Sequence, residues 1–341
     1  MNYVLRVLRF PIILNSYPLI LTIILYLLIL FLRYQQVNDS EVVQTRRGGW
    51  EVNIDIFKSQ RQALDQRIAQ ILPSPQAELL SGILLGQSKN LPAGLKLALR
   101  DTSTLHIVVA SGQNLSMVAG FFLALAGLIK RRNAIVLSLL AVILYTLLTG
   151  LQIPILRASI MFSLALLAQL TGRQRSGFWV LIVTAGLMLL VNPDWITSLS
   201  FQLSFLATFG VIVVSPILLK WFKRLPILGE DLAVAIAAQL MVTPIIAQNF
   251  HQVSLVGVFA NLLIGWTIPF IMILGSILLI FSWAGLIVSA FLTYFIYIVS
   301  FFSSLPFAWE YLGEQVWIVW VGYYMLVAAI VLSLNNAKKE D

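Results

Sequence analysis

Residues 105 to 120 read LHIVVASGQNLSMVAG, and within that apolar run stand His106, Ser111, Gly112, Gln113, Asn114 and Ser116. A histidine near a serine raises acyl transfer, in which the imidazole takes the hydroxyl proton and a carboxylate orients the imidazole. No Asp or Glu falls within an apolar stretch to fill that third role. No catalytic residue is therefore assigned, and His106 is expected as a hydrogen-bonding group at the outer mouth of a membrane helix. The amides carry another chemistry. Gln113 and Asn114 each bring four hydrogen-bonding positions, more than a single helix can satisfy in hydrocarbon. Gly112, Ser116 and Gly120 are spaced by four, a stripe of small residues along which another helix can approach closely.

Similar groups recur downstream. Ser200, Ser204 and Thr208 stand at helical spacing beside Gln202; Gln239 precedes Thr243 by four; Gly257, Asn261 and Gly265 are also spaced by four. Arg157, three residues after Pro154, is the one formal charge placed within a span, roughly 4.5 Å from its start. Two readings stand side by side. One is interhelical hydrogen bonding, with Arg157 snorkelling to the interface. The other is a wet cavity opening outward and lined by Ser111, Gly112, Gln113, Asn114, Arg157, Gln202, Ser204, Gln239 and Asn261. At 1.5 Å per residue, Asn114, Gln202 and Asn261 all fall roughly 7 to 15 Å below the outer surface, and that shared depth favours the cavity for the set. With two histidines and no cysteine, no metal site and no cofactor is expected.

The elements that must position these groups are membrane helices. Of 341 residues, 60% are hydrophobic and 11% charged, and the mean hydropathy is +0.92, far outside the range of a soluble domain. Stretches of roughly 20 apolar residues, enough to cross a bilayer, lie near 12 to 32, 104 to 128, 133 to 150, 154 to 171, 177 to 191, 198 to 219, 232 to 250, 254 to 282, 286 to 303 and 316 to 334. The fold class is all-α, a polytopic integral membrane protein of about ten spans. Pro269 is placed to break the stretch 254 to 282. The first span lacks an A-x-A cleavage site and reads as uncleaved.

Net charge is +8, and its placement orients the chain, since short cytoplasmic loops carry the Lys and Arg excess. With both ends inside, the inner side holds Arg6 and Arg9; Lys130, Arg131 and Arg132; Arg173 and Arg175; Lys220, Lys223 and Arg224; and Lys338 and Lys339. The outer turns hold Asp194, His251, Glu310 and Glu314. Four parts follow: an N-terminal span (1–33), an external segment (34–103), a transmembrane domain (104–335) and a cytoplasmic tail (336–341). In the external segment WEVNIDIF alternates like a short strand. Leu64, Ile68, Ile71 and Leu72 then mark the apolar face of a helix whose other face carries Lys58, Arg61, Asp65 and Arg67. QAELLSGILLG is too short to span and is expected as an interfacial or re-entrant helix on the outer face. Asp101 to Thr104 are placed to cap the next membrane helix.

The order of these motifs resembles the ComEC family of competence proteins. RQALDQRIAQILPSPQAELLSGILLGQSKNLPAGLKLALRDTSTLHIVVASGQNLSMVAG is similar to that family's amphipathic lead-in, its LLLG element and its HLLAISGLHV signature. LLTGLQIPILRASIM, NPDWITSLSFQLSFLATFGV and AAQLMVTPIIAQNFHQVSLVGVFANLL follow in family order, so the likeness covers about 60 to 280. It implies an inner-membrane channel for single-stranded DNA in natural transformation, not an enzyme, surrounded by membrane lipid. It also implies a separate cytoplasmic ATPase, an external DNA receptor and a nuclease supplied by another chain. Asn114 stands where the common pattern has histidine, which favours hydrogen bonding there over proton transfer. Residues between Arg33 and the amphipathic helix are too few for a five-stranded oligonucleotide-binding barrel, so a minimal form is expected. No G-x-x-x-x-G-K-[ST] motor element occurs. The alternative is a transporter or flippase for an anionic small molecule or a lipid-linked substrate.

Overall fold

The computed structural model describes residues 24–35, 56–109, 111–172, 176–222, 228–312 and 317–337. Most of the expected WEVNIDIF strand lies outside them, as do Arg6, Arg9, Arg173, Arg175, Lys223, Arg224, Glu314, Lys338 and Lys339. In chain order the helices are α1 (Ile24–Gln35), α2 (Lys58–Ile71), α3 (Gln76–Leu85), α4 (Ala93–Asp101), the short α5 (Leu105–Val108), α6 (Gly112–Ala124), α7 (Arg131–Thr149) and α8 (Ile153–Leu170). There follow α9 (Gly177–Val191), α10 (Leu199–Phe209), α11 (Ser215–Phe222), α12 (Gly229–Phe250), α13 (Gly257–Gly265), α14 (Thr267–Leu278), α15 (Ala284–Ser303) and α16 (Trp317–Ala337). An antiparallel ribbon pairs β1 (Gln252–Ser254) with β2 (Trp309–Tyr311).

The all-α membrane architecture holds. Among the described residues six helices are long and apolar enough to cross a membrane, and α13 with α14 makes a seventh, bent by 47°. The remaining expected spans coincide with shorter apolar helices, α1, α6 and α9. Prolines account for the irregular backbone, because a proline lacks the N–H that would bond the carbonyl four residues earlier and its ring presses on that carbonyl. Pro269 acts on Gly265, and the bend falls at Trp266 between α13 and α14. Pro216 acts on Ile212, inside the widened π turn Gly210–Val214 that joins α10 to α11.

Three expectations change. The stretch 104 to 128 is not one helix: Val109 and Ser111 are extended, and a new helix begins at Gly112. Thr102 and Thr104 do not cap it. Their hydroxyls bond back to the carbonyls of Ala98 and Leu99 and so close the end of α4. Arg61 is not on a solvated face. It is 6% exposed, and its Nη1 donates to the Leu148 carbonyl at 3.2 Å, beside the left-handed Gly150 (φ 90°) that ends α7. A guanidinium at a helix C-terminus satisfies orphan carbonyls and the negative end of the dipole together.

The ten-residue helix α3 is the second surprise of the segment 34–103. It lies in the centre of the largest core, with Leu79, Leu80, Ile83 and Leu85 fully buried among side chains of α6, α14 and α15. Gly82 makes this possible, since a Cβ there would come within 2.5 Å of Val108. α3 is thus a core helix of the protein, and residues on both sides of position 103 share that core.

α16 is attached chiefly by polar contacts. Pro244 interrupts α12 and leaves the Leu240 carbonyl without its helical donor. Tyr323 donates to that carbonyl at 3.0 Å and Tyr324 to Met241 at 2.9 Å, while Trp320 Nε1 donates to Gln248 at 2.7 Å. Tyr323→Phe and Tyr324→Phe are each expected to cost about 0.6 to 1.7 kcal/mol, the range for interhelical hydrogen bonds in membrane proteins, measured by unfolding in detergent. Pro244→Ala restores a backbone donor to Leu240, so Tyr323→Phe then costs less; an equal cost in both backgrounds refutes the latch.

Candidate functional site

The break before Gly112 creates the site. Ser111 is the N-cap of α6: its Oγ accepts from the Asn114 N–H at 3.3 Å and donates to Asn114 Oδ1 at 3.1 Å. Asn114 Nδ2 donates in turn to the Ile83 carbonyl at 2.8 Å. Asn114 is 0% exposed, so it does not line a wet vestibule. It is a pin that fastens the C-terminal end of α3 to the start of α6. The Tyr145 hydroxyl, also buried, comes beside it without forming a hydrogen bond of normal geometry. Gln152, just before α8, donates to Gly86 at 3.2 Å and holds the same end of α3.

With α3 fixed, the start of α6 faces Arg157 on α8. Arg157 Nε donates to Ser204 Oγ on α10 at 2.6 Å, and its Nη1 approaches Met161 Sδ at 3.5 Å. Its Cζ stands 6.0 Å from the Phe205 ring centroid, within cation–π range. Its Nη2 lies against Gly112, where a Cβ would come within 3.3 Å of it and within 3.1 Å of Ala158. No carboxylate among the described residues pairs with it; Arg100 and Asp101 form an ion pair elsewhere. Ser111, Gly112, Arg157 and Ser204 are thereby brought together from three helices, with Gln113 exposed on the next position of α6.

Other expected members stand apart. Gln202 turns its amide back to the Ile196 carbonyl at 3.0 Å and borders an apolar crevice of about 350 Å³ between α9 and α10. Asn261 is half-buried on α13, whose neighbours are α12, α14 and α15, and Gln239 is half-buried on α12. The side-chain amides of Gln113, Gln239 and Asn261 make no hydrogen bond to a described residue. Thr208 and Thr243 hydroxyls bond the carbonyls of Ser204 and Gln239, one turn back on their own helices. The small-residue stripes are half used: nothing lies within 4 Å of a Cβ at Gly120 or Gly265. His106 Nδ1 is 2.9 Å from the Ser103 carbonyl, near where Gly257 packs on Ser103. Sequence reasoning missed Phe205 and Met161, although Met161 stands one helical turn from Arg157. No His, Asp and Glu cluster that would hold a metal occurs among the described residues.

Residues 83–336 match the competence protein family. The chain belongs to that family. This competence-family chain is 28% identical to ComE operon protein 3 of Bacillus subtilis (strain 168) over 235 residues, 64% of the chain and 30% of the relative. It is 29% identical over 211 residues to the uncharacterized protein YcaI of Escherichia coli (strain K12), 56% of the chain and 27% of that protein. A further uncharacterized protein, from Aquifex aeolicus (strain VF5), is 36% identical over 133 residues, 38% of the chain and 32% of that protein. The chain thus spans about a third or less of the curated relatives it matches. No solved structure matches it. Family membership places this helical membrane protein among the competence proteins.

Asn114→Leu is expected to destabilise the protein by about 1 to 3 kcal/mol, since it leaves the buried Ile83 carbonyl unsatisfied. Gln202→Leu, which releases a carbonyl near the surface, is expected to change stability by less than about 0.5 kcal/mol. Thermal unfolding in detergent checks both, and equal melting shifts contradict the pin.

Proposed function

We propose that this competence-family chain conducts single-stranded DNA across the bacterial cytoplasmic membrane by a route that passes Arg157. The observation that carries the reading is a guanidinium held among three helices with no carboxylate among the described residues to neutralise it. An unpaired charge in a membrane helix is costly and marks an ion or substrate path. A nucleic-acid strand carries one negative charge per nucleotide, so its passage needs a hydrated, protein-lined route. One arginine followed by neutral amides suits conduction, because a conducting site must release what it binds. Gln113, exposed on α6, offers such an amide. In this reading both chain ends are cytoplasmic and the Arg157 end faces outward. No bond-making step is assigned to these helices; a cytoplasmic ATPase and an external DNA receptor are the proposed partners.

A second reading has an observation of its own. The apolar crevice of about 350 Å³ is bordered by Gln202 and by Phe205, and Phe205 is the ring facing Arg157. An acyl chain in the crevice with its phosphate at Arg157 is what a lipid flippase would want. Deletion separates the two. Without this protein, entry of labelled single strands into the cytoplasm is expected to fall to background in a transformation assay. Uptake at the parental level in the deletion strain contradicts the DNA route and leaves the lipid reading.

A further inference from the structure

Arg157 has neutral acceptors on one side, Ser204 Oγ, Met161 Sδ and the Phe205 ring, and the first turn of α6 on the other. In the first turn of an α-helix the N–H groups have no intrahelical partner and the dipole adds a partial positive charge. In α6 the Ser111 cap takes the N–H of Asn114, which leaves those of Gly112 and Gln113. Arg157 Nη2 lies against that same turn, and among the described residues Nη1 has only a thioether sulfur within bonding distance. Ser204 accepts from Arg157 Nε, so its own proton is free to be donated. A cation set against the positive end of a helix is repulsive; Nη2 packs too close to Gly112 to admit an anion between them, but an anion lying alongside both offsets the repulsion and accepts from the donors left over.

We infer that the first turn of α6, Arg157 and Ser204 hold one phosphodiester of the passing strand. The inference rests on the proposed DNA route and names the group recognised: the singly charged backbone phosphate, with no base contact and therefore no sequence preference. Gly112 is part of the site because a Cβ there would crowd both Nη2 and Ala158. A lipid headgroup presents the same phosphodiester chemistry, so the experiment separates the two sources.

The full chain in phosphatidylcholine nanodiscs is titrated with a fluorescent oligothymidylate, and with the same oligomer carrying uncharged methylphosphonate linkages. The unaltered protein is expected to bind the charged strand at least about tenfold more tightly than the uncharged one. Arg157→Gln should remove most of that preference and make the plot of log affinity against log salt shallower by about 0.7, the increment for one phosphate on a single strand. Arg157→Lys should keep the salt slope while weakening binding, since it retains charge without the fork. Gly112→Ala should weaken binding severalfold. Equal affinity for charged and uncharged strands by the unaltered protein overturns the inference, as does an unchanged salt slope in a folded Arg157→Gln. So does displacement of the strand from Arg157 by phosphatidylglycerol nanodiscs with no preference for DNA, which assigns the site to lipid. If deletion abolishes uptake yet Arg157→Gln imports DNA normally, the phosphate site fails while the DNA route stands; normal uptake after deletion removes the route itself.

Discussion

An arginine among membrane helices, with no acid among the described residues to pair with it, is the constraint around which this end of the molecule is arranged. Desolvating an ion costs several kcal/mol unless its surroundings replace water. Here the replacement is partial: a serine hydroxyl, a sulfur and an aromatic face. None of these carries a negative charge. The guanidinium also lies against the positive end of α6, so the protein alone leaves the balance of charge open toward anions.

The rest of the site end supports that geometry. α6 starts at Gly112 because Ser111 caps it, and Asn114 locks the same turn to the carbonyl that ends α3. Gln152, leading into the helix that carries Arg157, donates to the Gly86 carbonyl just past the end of α3. Arg61 does comparable work at the end of α7. Each is a side chain from one element closing the open backbone of another, which in hydrocarbon is the condition for ending a helix there at all. The proline-freed Leu240 carbonyl of α12 is closed by Tyr323 in the same way. The broken helices of the bundle are tolerated because neighbours supply the missing bonds.

Much of this was legible in the sequence. Hydropathy located every long apolar helix, and Pro269 foretold a break in 254 to 282. Composition and motif order pointed to the competence family. Depth along a helix was readable from the rise per residue; the direction a side chain faces was not. Gln113 and Asn114 differ by one position, about 100° around the helix, and one is exposed while the other is sealed in the core. Arg61 was read as solvated because amphipathic patterning says nothing about a neighbouring helix end that needs a cation. The break at Ser111 was hidden by continuous hydrophobicity, since an extended residue inside an apolar run leaves no mark on hydropathy. The grouping of Ser111, Gly112, Arg157 and Ser204 required knowing which helices touch.

The central claim is that a strand in transit passes the opening between α6, α8 and α10. Photo-crosslinking during transformation tests it most directly, with thiothymidine-substituted donor DNA irradiated while import is under way and the attached peptides mapped. Crosslinks at Gln113 and Phe205 are predicted, beside Arg157. Crosslinks confined to α13 to α16, with none on α6 or α10, would contradict the account.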